Sequence, residues 1–115
     1  MAKIVISREF FQSGEDNLHK KRFNAATDSY FKALVTLCDY NLETNQGIAP
    51  KNHNERFDLL KINYPFAFSV VSELFSRYRK TYNQMADEDD AKTVKKKLKE
   101  LIRHFNLEKD FKEVL

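Results

Sequence analysis

Residues 91–105 read AKTVKKKLKELIRHF, and Ala91, Val94, Leu98, Leu101, Ile102 and Phe105 recur there at intervals of three and four between charged neighbours. That spacing returns to one side of a 3.6-residue helix, so one face is built to be buried and the other to stay wet. Four acids precede the run, Asp87, Glu88, Asp89 and Asp90, and bases follow from Lys92 to Arg103, which is the order a helix dipole favours. The segment reads as a well-capped solvated helix; the alternative is a basic surface that touches RNA or an acidic partner chain.

Upstream, Phe68, Val71, Leu74, Phe75, Tyr78, Tyr82 and Met85 form a second stripe, with Pro65 placed for a first helical position. A third runs from Phe23 through Ala26, Tyr30, Ala33, Leu34, Leu37 and Cys38 to Leu42, closed by Gly47 and Pro50. Ahead of it Ser7 reads as the cap of a shorter helix carrying Phe10, Phe11 and Leu18; Gly14 weakens its middle, and a break falls near Lys21 and Arg22. Only Lys3 to Ile6 has any strand character. A loop from Gly47 to Asn54 leads into a short helical piece with Phe57, Leu60 and Ile62, and Leu107, Phe111, Val114 and Leu115 predict a short terminal helix. Short connections make neighbouring helices antiparallel. The expectation is an all-α fold, an up-and-down bundle of four main helices with one or two short extra helices, in a single domain over residues 1–115.

Composition bounds the rest. With 42% hydrophobic and 32% charged residues the chain is too apolar for disorder and too charged for a membrane protein. Two Gly and two Pro are too few for the many reversals of a β-rich or doubly wound fold. The single cysteine, Cys38, has no internal disulfide partner and sits in an apolar run, as a small core residue would. The apolar triplet in Met1 to Ile6 is ended by Arg8 and Glu9, and no later run approaches the length of a spanning helix, so no membrane role and a cytoplasmic location are expected. A net charge of +3, with 17 acids interleaved among 20 bases, does not by itself call for nucleic acid.

Catalytic signatures are sparse. The sequence holds no phosphate-cradling glycine loop, no paired cysteines, no Gly-x-Ser-x-Gly and no HExxH. His19, His53 and His104 are far apart, whereas metal sites show at least one closely spaced ligand pair, so no metal and no cofactor are expected. Two places remain. In the run Arg77, Tyr78, Arg79, Lys80, Thr81, Tyr82 and Asn83, the two tyrosines share the apolar face and Arg77 borders it. Such an arginine either holds a phosphate beside tyrosine hydroxyls or packs its stem on the bundle while its head meets Glu73 or another acid. At Pro50-Lys51-Asn52-His53, either His53 belongs to a site, or Asn52 or Asn54 caps the next helix while His53 bonds the backbone.

Three stretches together resemble the HEPN domains of bacteria and archaea, small helical bundles often encoded beside a minimal nucleotidyltransferase in toxin–antitoxin pairs. The segment Phe23-Asn24-Ala25-Ala26-Thr27-Asp28-Ser29-Tyr30-Phe31-Lys32-Ala33-Leu34 is similar to the family's second helix. Pro50-Lys51-Asn52-His53 before Leu59-Leu60 resembles its Pro-x-x-His loop, and Leu74 to Tyr82 stands where the family carries an arginine and, four to six residues later, a histidine. The resemblance spans about Gly14 to Leu101. Family members with ribonuclease activity use that arginine and histidine on the RNA 2′-hydroxyl and phosphate; here Tyr82 takes the histidine's place, and a phenol with a pKa near 10 is a poor base at neutral pH. The resemblance therefore implies a catalytically degenerate bundle that holds a nucleotide or RNA phosphate through Arg77, Arg79, Lys80 and Tyr82, or a nucleotidyltransferase-type protein partner, and that forms a homodimer. The alternatives are a metal-independent endoribonuclease (toxin) using Arg77 with Tyr82 or His53, and a protein-interaction adaptor docking through its basic helix.

Overall fold

A computed structural model describes residues 2–112. Five α-helices follow one another: α1 (Ala2–His19), α2 (Phe23–Asn41), α3 (His53–Asn63), α4 (Pro65–Asn83) and α5 (Glu88–His104). A π-helical turn, Leu42–Gln46, extends α2 and stops at Gly47, whose φ of 71° is the left-handed conformation that ends helices. A 3₁₀ turn, Glu108–Phe111, closes the described chain. The expected all-α bundle with extra short helical pieces is the architecture observed.

Helix α2 is the axis of the body and packs against α1, α4 and α5. Its contacts fix the direction of each neighbour. Ser7 reaches Ala33 and Ser13 reaches Ser29, so α1 runs antiparallel to α2. Asn24 reaches Thr81 while Phe31 meets Phe75 and Tyr78, so α4 is antiparallel too. Arg77 meets Asp90 and Tyr64 meets Phe105, which turns α5 back against α4. The four long helices thus go up, down, up and down, with α3 lying antiparallel along α4 through His53 against Tyr78 and Phe57 against Phe68.

Local chemistry accounts for most of the boundaries. Pro65 occupies the first turn of α4, where its missing N–H costs nothing. Asn52, one of the two candidates, caps α3 by accepting from the Glu55 N–H at 2.9 Å. Asp87 and Asp90 form a reciprocal capping box at the start of α5. Lys21 adopts φ 60° and makes the break between α1 and α2.

The N-terminal segment departs from expectation. Ser7 does not cap a helix, and residues 3–6 are not extended: α1 already runs from Ala2. Ile4, Ser7, Phe11 and Gly14 are its buried residues, a stripe of helical spacing whose small members conceal its start. Ser7 is buried, and its hydroxyl donates to the Ala33 carbonyl at 2.7 Å. Gly14 lets the Tyr30 ring lie against the α1 backbone, where a methyl group would come within 2.5 Å of ring carbon Cδ1. Tyr30 also stands edge-on to Phe11 at 5.9 Å and donates to Glu15 at 2.6 Å, so its polar tip is satisfied while its ring is fully buried. At the other end the short terminal helical piece is a 3₁₀ turn that buries Phe111. Met1, Val114 and Leu115 lie outside the described residues.

Candidate functional site

The C-terminal half of α4 carries the residues singled out in the sequence, and the fold sorts them onto different sides. Arg77 faces α5. Its Nη1 donates to Asp90 Oδ1 at 2.8 Å and lies 3.5 Å from Asp89 Oδ2. Asp90 is a demanding partner because its side chain is only 4% exposed. Its other oxygen accepts from the Asp87 N–H at 3.0 Å, and Lys80 Nζ approaches Oδ1 at 3.4 Å. Burial pushes the Asp90 carboxyl up, but the Asp87 N–H and the charges of Lys80 and Arg77 outweigh it and hold the group below the ordinary aspartate range. Of the two roles open to Arg77, the geometry matches the stem packed on the bundle with the head on an acid; that acid is Asp90, not Glu73.

The tyrosines face the opposite way. Tyr78 is buried with its ring stacked on Phe31 at 4.4 Å, and its hydroxyl hydrogen-bonds that of Tyr82. Burial and the Tyr82 bond raise the Tyr78 phenol well above its usual pKa. Tyr82 is 67% exposed. Arg79, three residues earlier and therefore on the same side of the helix, sits with its guanidinium 6.0 Å from the Phe75 ring centre. Two shallow grooves flank this end of α4. One of about 270 Å³ is lined by Ser76, Arg79, Lys80, Asn83 and Gln84; the other, about 340 Å³, lies between α2 and α4 and includes Asn24, Asp28, Lys32 and Tyr82. Asp28 and Lys32 pair with each other at 3.1 Å, leaving the first groove the more cationic of the two.

His53 begins α3 beside the same aromatic cluster, 5.3 Å from Phe75 and 6.3 Å from Tyr78 between ring centres. It bonds a side chain instead of the backbone: Arg56 Nη1 approaches its Nδ1 at 2.8 Å. A guanidinium only donates, so Nδ1 accepts and the ring proton resides on Nε2. Arg56 is held in turn by Asp39 on α2, through Nε to Oδ1 at 2.7 Å and Nη2 to Oδ2 at 2.8 Å. Burial and the Arg56 charge lower the His53 pKa, with Asp39 opposing them. The ring is therefore neutral near pH 7 with its lone pair already engaged, a good hydrogen-bond donor and a poor general base.

Sequence reasoning missed three members of this region. Asn24 ties the start of α2 to the α4–α5 turn by accepting from the Ala86 N–H at 2.6 Å and donating to the Gln84 carbonyl at 3.0 Å. Its position in the opening turn of a helix was a signal, because polar residues there serve the backbone. Asp39 and Arg56 left none: they are 17 positions apart on different helices. Among the described residues no three His, Cys, Asp or Glu side chains gather as a metal-ligand set, and no helix is long and apolar enough to cross a membrane. Neither a family model, nor a curated protein, nor a solved structure matches the chain.

Proposed function

We propose that the chain is a HEPN-like, catalytically degenerate helical bundle that binds a nucleotide or an RNA phosphate at the C-terminal end of α4. The observation that carries this reading is the exposed Tyr82 ring one turn after Arg79, which itself lines the neighbouring groove with Lys80 and Asn83. An exposed ring offers a stacking platform to a base, and a guanidinium one turn away offers two donors to a phosphate. Arg77, the residue matching the family's motif arginine, serves here to hold α5 through Asp90. Recognition falls instead to Arg79, with Lys80 divided between Asp90 and the groove.

Chemistry of the ribonuclease kind lacks a base at this end. Tyr82 shares its hydroxyl with Tyr78, and the His53 lone pair is taken by Arg56. Binding without turnover is the reading these groups support, and a homodimer or a nucleotidyltransferase-type partner belongs to the same proposal by resemblance alone. Calorimetric titration with ATP and with a short RNA tests it. Wild type and Arg77→Ala should bind alike, whereas a double Arg79→Ala, Tyr82→Ala variant should lose at least tenfold in affinity. Absence of binding by the wild type would remove the reading, and total RNA cut by the wild type would replace it with the ribonuclease alternative.

A further inference from the structure

The α5 surface farthest from the core carries a charge pattern that neither the fold nor the α4 site uses. At 100° per residue Lys92, Lys96, Lys99 and Arg103 fall within roughly 60° of one another about the helix axis, opposite the buried stripe of Val94, Leu98 and Leu101. From Lys92 to Arg103 they cover 12 residues, about 16 Å of helix. With Leu18 of α1, Lys95 and Glu100 they line an open groove of about 380 Å³, in which the one carboxylate, Glu100, is paired with Lys97 at 3.5 Å. The exposed turn Lys20-Lys21-Arg22 lies at its upper end, next to the Asn24 contact with Ala86 just ahead of α5.

Stabilisation of the helix does not explain this stripe. A dipole favours bases in the last turn, which covers Arg103 but not Lys96 or Lys99 in the middle of the helix. Lys92 is paired with Glu88 at 2.7 Å and the neighbouring Lys95 with Glu15 at 2.7 Å, whereas Lys96, Lys99 and Arg103 make no ion pair among the described residues. Like charges three and four apart on a helix repel, each pair costing a few tenths of a kcal/mol. The stripe is therefore a small burden on folding.

We infer that the α1–α5 groove is a track for the sugar–phosphate backbone of a nucleic acid strand, held without regard to base sequence. The track is linear, and its unpaired cations Lys96, Lys99 and Arg103 follow one another along the helix axis, so that each can meet a phosphate of the same strand. It contains no aromatic side chain on which bases would stack, so contacts fall on the backbone. A protein partner would need an apolar anchor at the centre of its interface, and Leu18 is the groove's one aliphatic side chain. This surface stands apart from the α4 site, and either proposal survives failure of the other.

The test is fluorescence anisotropy with labelled 20-nucleotide oligo-U and a mixed-sequence RNA of equal length, titrated from low to moderate salt. Wild type should bind both to a similar degree. The triple variant Lys96→Glu, Lys99→Glu, Arg103→Glu should bind both at least tenfold more weakly, with the slope of log affinity against log salt smaller by about 2. The milder variant Lys96→Gln, Lys99→Gln, Arg103→Gln, folded by circular dichroism, should lose in the same direction. Unchanged RNA affinity in both variants overturns the inference, as does equal competition by a polyaspartate peptide of matching charge, which would make the groove a dock for acidic protein. ATP affinity separates the two surfaces: the Arg79→Ala, Tyr82→Ala variant should lose it, whereas the Lys96→Glu, Lys99→Glu, Arg103→Glu variant should keep it.

Discussion

Arg77 and Asp90 meet at 2.8 Å across the α4–α5 turn, and the same carboxylate closes the capping box of α5 through its other oxygen. One side chain thus starts a helix and clamps it to its neighbour. Asp90→Ala removes the returning half of the capping box, leaving the Asp87 N–H without its acceptor, and strands a half-buried guanidinium, so it should destabilise the fold by about 2–3 kcal/mol in urea denaturation, while Asp90→Asn should cost less. The pH dependence follows from the depressed carboxyl. Its contribution is fully present above the unfolded aspartate value of about 3.9 and is lost as pH falls through the lower folded value. Wild-type stability should therefore drop below about pH 4 by more than that of Asp90→Ala.

Gly14→Ala offers a sharper contrast, because helix propensity and packing predict opposite signs. Alanine is favoured by about 1 kcal/mol in an exposed helix interior. Here the added carbon would lie 2.5, 2.6 and 2.9 Å from three atoms of the Tyr30 ring. Overpacking of that kind costs about 1–3 kcal/mol or more, and the ring is held in place edge-on by Phe11 and at its tip by Glu15. Net destabilisation of about 2 kcal/mol is expected from thermal or urea unfolding. A more stable variant would mean that α1 and α2 are farther apart than described.

His53 should be the neutral Nε2–H tautomer near pH 7, a state that long-range proton–nitrogen NMR reads directly. Its folded pKa lies below the ordinary 6.5, so the unfolded chain binds more protons in the interval between the two values. Stability contributed by the neutral ring is therefore complete above about pH 6.5 and falls as pH drops through the folded value. Arg56→Ala should release Nδ1, raise the His53 pKa and leave Asp39 buried without its partner, at about 3 kcal/mol. An Nδ1–H tautomer in the wild type would contradict the Asp39–Arg56–His53 chain.

What was legible in the sequence was whatever a single segment states about itself. The stripe from Phe23 to Leu42, Pro65 at the head of α4 and the acid-then-base order of α5 each carry their own periodicity and cap, and those helices lie where expected. Helix α1 was only half legible because its inner face is made partly of Ser7 and Gly14, which resemble a cap and a breaker when close packing against α2 is unknown. The direction of Arg77 was not legible either. From its own helix it bordered the tyrosine face; the choice was made by Asp90, thirteen positions later, once the capping box had drawn that carboxylate into the turn. The link from Asp39 through Arg56 to His53 exists only in the tertiary structure.

The central claim, that the end of α4 holds a phosphate-bearing ligand through Arg79, Lys80 and Tyr82 while Arg77 holds the fold, is tested most directly by titrating ATP into isotope-labelled protein and following backbone and arginine side-chain signals. The account predicts perturbations concentrated between Arg79 and Gln84, with the Arg77 guanidinium signal unmoved. Signals that do not shift at that end, or an Arg77 guanidinium that leaves Asp90 for the ligand, would contradict it.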